Sequence, residues 1–345
     1  MLIIGGDIGG TKTNAGLFDA ALSEEQGRQA PRLLMQHTYA SRDFPGLAEI
    51  FVDFAKRVGA RMESVRAVCF GIAGPVIDNR CKTPNLPWEI DGDALGEQFG
   101  LASFVLINDL VANAEGIAAL LPDEIVVIQP GRSEPTQQRP AALIAPGTGL
   151  GMAMLAPSHD GEWVPLASEG GHADLAPRTA IEIELLQWLM RRYPDHVSYE
   201  RVVCGAGLAN LYEFFLQRGA VDANASVRAA IAADPKSAPR VISDAALTDR
   251  CPVCSAALDQ FIAIYGAMAG NLALIALATG GVFLGGGISP KIRARLEHGP
   301  FLSAFCDKGR FRSLMETLPV RLILNPDTAM LGAARRAARG ARRLV

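Results

Sequence analysis

Three glycine turns and a handful of acids carry the chemistry that this sequence offers. The first turn is Gly5-Gly6-Asp7-Ile8-Gly9-Gly10-Thr11-Lys12-Thr13, entered from Leu2-Ile3-Ile4 and left through Ala15-Gly16-Leu17-Phe18. Glycines let backbone N–H groups approach an anion closely and take up positive φ. A carboxylate in such a turn would repel phosphate directly, and it makes sense when a divalent cation sits between the two. The turn therefore reads as a metal–nucleotide site. A second turn, Gly147-Thr148-Gly149-Leu150-Gly151, repeats the organisation: apolar strand, glycine turn with a threonine, apolar strand. A third, Gly285-Gly286-Gly287-Ile288, follows the apolar run ending at Leu284. Two further stretches hold candidate groups. Asn108-Asp109 closes the buried run from Phe104, and Leu166 to Asp174 packs Glu169, His172 and Asp174 around Gly170-Gly171.

Two familiar phosphate motifs do not apply. A dinucleotide fingerprint needs its glycine turn to open a helix, whereas this first turn opens a second short apolar run. The Gly-x4-Gly-Lys-Ser/Thr spacing of a Walker A loop is not supplied. An ordinary hairpin turn between buried strands is the plain alternative. If the first two turns are equivalent, they belong to two related domains, and one turn on each side of a cleft would clamp a nucleotide's phosphates. Coincidence between two hairpins is the competing reading. A carboxylate at Asp109 can take a proton from a hydroxyl as a new bond forms. It can also cap the helix that follows, and Asn108 could do the same.

The elements that must position these groups alternate. Leu33 to Tyr39 reads as a strand. Leu47 to Met62 has helical spacing, with Leu47, Ile50, Phe51, Phe54, Ala55 and Val58 on one face. Val65 to Ile72 is a strand, Pro84 to Trp88 an irregular loop, and Asp91 a candidate cap for a helix through Phe99. Phe104 to Ile107 is a strand and Leu110 to Leu121 a helix. Val126 to Ile128 and Ala142 to Ala145 are strands, with a polar loop from Ser133 to Pro140 between them. Helices are expected over Ile181 to Met190, Leu208 to Gln217, Val227 to Ala233, Val241 to Leu247 and Cys254 to Ala278. A further helix should start near Pro290, Val320 to Leu324 is a late strand, and Pro326 to Arg339 is the closing helix. Strands alternating with helices define an α/β chain, whose ligands bind at the carboxyl ends of the strands.

Composition narrows the field. The 345 residues carry a formal charge of −3, so nothing marks the chain for nucleic acid or a membrane surface. The basic cluster from Arg335 to Arg343 reads as a solvated helix face and tail. The longest apolar stretch, Ala263 to Val282, is broken by Asn271 and glycines and suits a buried helix followed by a strand. The first residues lack the basic region and cleavage site of an export signal. Six scattered cysteines form no disulfide scaffold. Cys251-Pro252-Val253-Cys254 lacks the further close ligands of a zinc site. It reads as two reduced thiols at a helix start, with a redox pair as the alternative.

Taken in order, these motifs resemble the bacterial glucokinase family, within the superfamily of sugar kinases, heat-shock ATPases and actin. The motifs are Asp7-Ile8-Gly9-Gly10-Thr11, Asn108-Asp109, Gly147-Thr148-Gly149-Leu150-Gly151, Glu169-Gly170-Gly171-His172, Glu200 and Gly285-Gly286-Gly287-Ile288, and the resemblance extends from Asp7 to Gly332. The related ROK sugar kinases usually carry a cysteine-rich zinc motif after the glycine-glycine-histidine segment, and Ala173 to Pro177 has none. The resemblance implies a two-domain α/β, ribonuclease-H-like fold with an inter-domain cleft. Residues 1–120 completed by 325–345 would form the small domain, and 121–324 the large one. It implies transfer of phosphate from ATP to the 6-hydroxyl of D-glucose. Asp109 is then the general base. Asn108, Asp109, Glu169, His172 and Glu200 hold the sugar. Asp7 reaches Mg²⁺ through water, and Gly9, Gly10 and Thr11 address phosphate. Gly147, Thr148 and Gly149 form the opposing clamp, while Gly286 and Gly287 lie against adenosine. A cytoplasmic homodimer is the accompanying expectation. The rival readings are a kinase of mannose or N-acetylmannosamine, a ROK-type regulator, and an actin-like ATPase without a sugar. A regulator of that type carries an N-terminal helix-turn-helix, whereas this sequence opens on the phosphate turn.

Overall fold

The computed structural model describes residues 1–23, 30–132, 134, 136–219 and 224–342. Ser133 and Pro135 of the polar loop, and Arg343 of the basic cluster, lie outside the described residues. The chain divides into two compact units. One comprises Met1–Ile125, Val164–Ala167 and Asn325–Val345, and the other Val126–Trp163 and Ser168–Leu324.

The first unit begins with strands β1 (Leu2–Ile8), β2 (Lys12–Ser23) and β3 (Ala30–Ala40), then helix α1 (Leu47–Val58) and strand β4 (Val65–Ile72). A small hairpin, β5 (Arg80–Lys82) and β6 (Glu89–Asp91), precedes helix α2 (Gly92–Phe99), strand β7 (Phe104–Asn108) and helix α3 (Asp109–Ile117). The sheet order is β3-β2-β1-β4-β7. β1 to β3 are antiparallel neighbours, while β4 runs parallel to both β1 and β7. Side chains alternate across a strand. Ile4, Ile8 and Leu17 therefore enter one core with the α1 residues Leu47, Ile50, Phe51, Phe54 and Val58. Ile3 and Phe18 enter the core on the opposite face. Asp91 caps α2 by accepting from the Ala94 N–H at 3.0 Å.

The second sheet and its helices are built from β8 (Ile125–Gln129), β9 (Ala141–Pro146), β10 (Leu150–Pro157) and β11 (Trp163–Ser168, of which Val164–Ala167 group with the first unit), then helices α4 (Ala180–Arg192), α5 (Gly205–Arg218), α6 (Ala225–Ala233), α7 (Ala238–Leu247) and α8 (Pro252–Ala276). Strand β12 (Gly281–Leu284), helices α9 (Arg293–His298), α10 (Phe301–Cys306) and α11 (Arg312–Met315), and strand β13 (Val320–Ile323) complete them. The sheet order is β11-β10-β9-β12-β13-β8. Counted from β9, its first five places repeat the first sheet, in the order third, second, first, fourth, fifth strand, and β8 is added at the far edge. The first pair is again antiparallel, and the fourth strand again runs parallel to both neighbours. The two glycine turns, Gly9–Thr11 and Gly147–Gly149, thus occupy the same place in each sheet. α8 is apolar around most of its circumference, as a helix sunk in a core must be. It is long and apolar enough to cross a membrane by length and composition, yet its Phe261, Ile262, Tyr265 and Ala269 are fully buried in the second unit's core.

The helix expected near Pro290 opens as a 3-10 helix over Ser289–Ile292 and continues as α9 from Arg293. Three readings of the sequence need correction. The helix expected over Leu110 to Leu121 ends at Ile117. The closing helix, α12 (Thr328–Arg342), starts two residues after Pro326. An Asx turn holds that approach outside the helix, with the Asn325 carboxamide accepting from the Asp327 N–H at 2.8 Å. The arginines of α12 are also not simply solvated. Arg335 is buried, and Arg336 and Arg339 both pair with Glu115, whose side chain is 2% exposed. A carboxylate that deep requires cations, and the neighbouring helix supplies them. The alanine face of α12 packs on α3 closely: a Cβ added at Gly332 would lie 1.8 Å from the Ala112 carbonyl oxygen.

All six cysteines are free and buried. Cys251 and Cys254 stand at the start of α8, neither with exposed surface.

Candidate active site

In the first unit, Asp7 is the penultimate residue of β1 and Asn108 the last of β7. The turn after β1 is pinned from behind. The Gly9 N–H donates to the Lys12 carbonyl at 2.9 Å, and the Ser41 hydroxyl donates to the Gly9 carbonyl at 2.9 Å. The Ser41 N–H reaches the Thr11 carbonyl at 3.0 Å. These bonds consume carbonyl groups, while Thr11 itself is exposed. Gly10 is required by proximity, because a Cβ there would stand 2.8 Å from that of Asn85.

Asn108 settles the question of the cap. Its side-chain oxygen accepts from the Leu110 N–H at 2.9 Å and the Val111 N–H at 3.3 Å, and its amide donates to the Gly74 carbonyl at 3.1 Å. Asp109 is the first residue of α3 rather than its cap, and one of its oxygens also accepts from the Leu110 N–H at 2.9 Å. Its charge is felt at Asp7. Burial first, then the Asp109 and Asp327 carboxylates, push the Asp7 carboxyl up to about 7. Asp327 was not apparent as a site residue in the sequence. A helix read as starting at Pro326 makes it an ordinary first-turn acid, and its true position just before α12 depends on the Asn325 turn. The Asn325-Pro326-Asp327 run was the available signal.

A desolvated carboxylate facing two like charges is an unfavourable arrangement that a cation relieves. Among the described residues no cluster of three metal-ligating side chains occurs. A hard divalent ion held mostly through water suits carboxylates so placed.

The second unit gathers the other candidates around the start of β10. The Gly147 N–H donates to the Gly149 carbonyl at 2.8 Å, closing the turn, and Thr148 projects into solvent. Glu200 lies behind this turn: its carboxylate accepts from the Leu150 N–H at 2.8 Å. The Glu169-Gly170-Gly171-His172 turn packs on the same residue, since a Cβ at Gly171 would fall 2.0 Å from the Leu150 carbonyl oxygen. Glu169 and His172 are exposed, and the His172 carbonyl is held at 2.9 Å by the His196 ring. The third glycine loop lies beside the second: the Ile288 N–H meets the Pro146 carbonyl at 3.3 Å. Gly286 has φ +75°, and a Cβ there would stand 2.3 Å from the same carbonyl oxygen, so backbone geometry alone demands glycine. At Gly147 and Gly287 nothing among the described residues, chain neighbours aside, comes within 4 Å of a Cβ position.

The structure thus brings Asp7, Gly9, Gly10, Thr11, Asn108 and Asp109 together in one unit, and Gly147, Thr148, Gly149, Glu169, His172, Glu200, Gly286 and Gly287 in the other.

Comparison with known proteins agrees over nearly the whole length. The family model described as Glucokinase matches residues 4–340. A glucokinase of Synechocystis sp. is 38% identical over 344 residues, covering 96% of each chain. One of Nostoc punctiforme is 38% identical over 351 residues, covering 98% of this chain and 99% of its own. Among solved structures, a glucokinase from an Antarctic psychrotroph superposes with a TM-score of 0.83 at 30% identity, covering 98% of this chain and 99% of that one. A ROK family glucokinase from Streptomyces griseus, solved with glucose and AMPPNP, has a TM-score of 0.63 at 24% identity over 99% of this chain and 100% of that one. That second likeness is one of fold.

Proposed function

The chain belongs to the glucokinase family, and from that premise we infer how its residues divide the work of transferring the γ-phosphoryl group of ATP to the 6-hydroxyl of D-glucose. Asp109 accepts the hydroxyl proton as the phosphorus–oxygen bond forms. The transition state of phosphoryl transfer is loose, so little proton abstraction is needed early, and orientation counts for more than base strength. Asn108 is the N-cap of α3, and the Asp109 carboxylate shares only the Leu110 N–H with it, so capping alone does not account for Asp109.

Asn108, Glu169, His172 and Glu200 hold the sugar. Paired hydroxyls matched by carboxylates and an amide discriminate against an epimer that leaves one buried partner unmet. Both atoms of the Asn108 carboxamide already serve the backbone, so its contribution is through the remaining N–H. Gly9, Gly10 and Thr11 address phosphate, and so do Gly147, Thr148 and Gly149. Gly286 and Gly287 leave space for adenosine. Asp7 would hold Mg²⁺ through water, and that ion, when bound, neutralises phosphate charge. For function we take residues 1–120 with 325–345 as the smaller working part and 121–324 as the larger. The reading is completed by a cytoplasmic homodimer with small-molecule substrates and neither nucleic acid nor membrane as partner.

The observation that carries this reading is the family match over residues 4–340. A coupled assay across hexoses and phosphoryl donors tests it. One glucose 6-phosphate should form per ATP consumed, with mannose and N-acetylmannosamine turned over far less efficiently. ATP turnover indifferent to any sugar would point instead to an actin-like ATPase.

A further inference from the structure

Glu200 makes a contact that sugar binding does not need. Its Oε2 accepts from the Leu150 N–H at 2.8 Å, and the approach is so close that a Cβ at Gly149 would lie 2.4 Å from that oxygen. The same segment grips the turn at its other end, where the Gly205 N–H donates to the Gly147 carbonyl at 3.0 Å. The segment is itself braced. The Tyr199 N–H meets the Ala173 carbonyl at 3.0 Å, and the buried Tyr199 hydroxyl accepts from Asn271 at 3.1 Å. Asn271 in turn is held by the Lys308 ammonium at 2.7 Å. The Val203 N–H closes on the Tyr199 carbonyl at 2.8 Å. Glu200 therefore reaches the Gly147–Leu150 turn from a fixed backbone, with one carboxylate oxygen committed to the turn. Among the described residues, Oε1 accepts no hydrogen bond.

We propose that Glu200 is a coupling residue: through Oε1 it takes a glucose hydroxyl, through Oε2 it fixes the phosphate turn, and each substrate thereby prepares the site of the other. The proposal rests on the assignment of Glu200 to glucose and of Gly147–Gly149 to phosphate made above. One physical effect gives the coupling a positive sign. A hydroxyl donated to Oε1 draws negative charge away from the turn that must face phosphate, easing like-charge repulsion. Coupling between binding sites is reciprocal, so glucose should tighten the nucleotide by the same factor that the nucleotide tightens glucose.

Equilibrium titrations with the intact protein, each ligand alone and then both, test this. The probes are glucose and a non-hydrolysable ATP analogue with Mg²⁺. Glu200→Ala should weaken the analogue about fivefold or more with no sugar present, as expected for loss of one charge-assisted hydrogen bond. Glu200→Gln keeps a carbonyl that can accept from Leu150 and should bind the analogue within about twofold of the parent. Gly149→Ala, whose new methyl displaces Oε2, should weaken glucose by a similar factor of about five with no nucleotide present. Melting curves confirm that each variant is folded. Parent-like analogue binding by folded Glu200→Ala, the behaviour of a residue that serves only the sugar, overturns the proposal while leaving the kinase reading intact. A parent protein that binds neither glucose nor the analogue overturns both.

Discussion

At the scale of single residues, two carboxylates in the first unit make opposite demands. Asp109→Asn keeps the shape of the side chain and removes its basicity. Turnover should fall by about 10²- to 10⁴-fold, while glucose affinity, measured by titration, changes far less. Near-normal kcat in this variant would end its assignment as the base. Asp7 is the reverse case, an acid that holds a proton too well. With its carboxyl pushed up to about 7, the folded protein keeps a proton that the unfolded chain releases near its ordinary value of 3.8. Folding is then favoured at low pH by this group, and the advantage declines as pH rises from about 4 to about 7, where the folded state finally ionises. In Mg²⁺-free buffer, Asp7→Asn should melt higher than the parent at about pH 8, and the gap should close toward about pH 4. A gap independent of pH would mean that the carboxylate is not desolvated. Asp7 and Asp109 were legible in the sequence because each follows an apolar run. Asp327 was not, since nothing in a linear reading brings residue 327 beside residue 7.

At the scale of elements, α3 and α12 fix where two of these acids start. α3 begins at Asp109, and Asp327 immediately precedes α12. The helices cross where neither can carry an added methyl: a Cβ at Gly116 would meet the Thr328 carbonyl oxygen at 2.0 Å, and one at Gly332 the Ala112 carbonyl oxygen at 1.8 Å. Gly332→Ala should lower stability by about 1–3 kcal/mol, read from denaturant unfolding, because overpacking forces the backbones apart. kcat should fall with it as the acids move. A variant with unchanged stability and rate would show that the crossing has slack. Long elements with strong periodicity, such as α1 and α8, could be read from sequence. The β5–β6 hairpin and helices α10 and α11 could not, because strands of three residues and helices of four to six are too short to show a period.

At the scale of the whole molecule, the repeated strand order is the main lesson. The sequence showed two similar glycine hairpins but not the pairing of strands far apart in the chain, which depends on contacts that no local pattern encodes. Binding to the folded state adds stability in proportion to the logarithm of ligand concentration over Kd, about 2.7 kcal/mol at a hundredfold excess. Glucose should therefore raise Tm more than equal concentrations of mannose or N-acetylmannosamine, and a larger shift with either competitor would reassign the sugar. One small feature of the first sheet bears on how the molecule behaves among its own copies. β7 is the last strand of that sheet, and Asn79, in the left-handed conformation at φ +57°, lays its carboxamide along it. It accepts from the Leu106 N–H at 2.7 Å and donates to the Phe104 carbonyl at 2.9 Å, as a neighbouring strand would. A single side chain thus closes a template on which another polypeptide could otherwise be zipped. Stripped of that guard, as in Asn79→Ala, the protein should gather into larger particles as its concentration rises, a change that light scattering would register before any loss of catalysis.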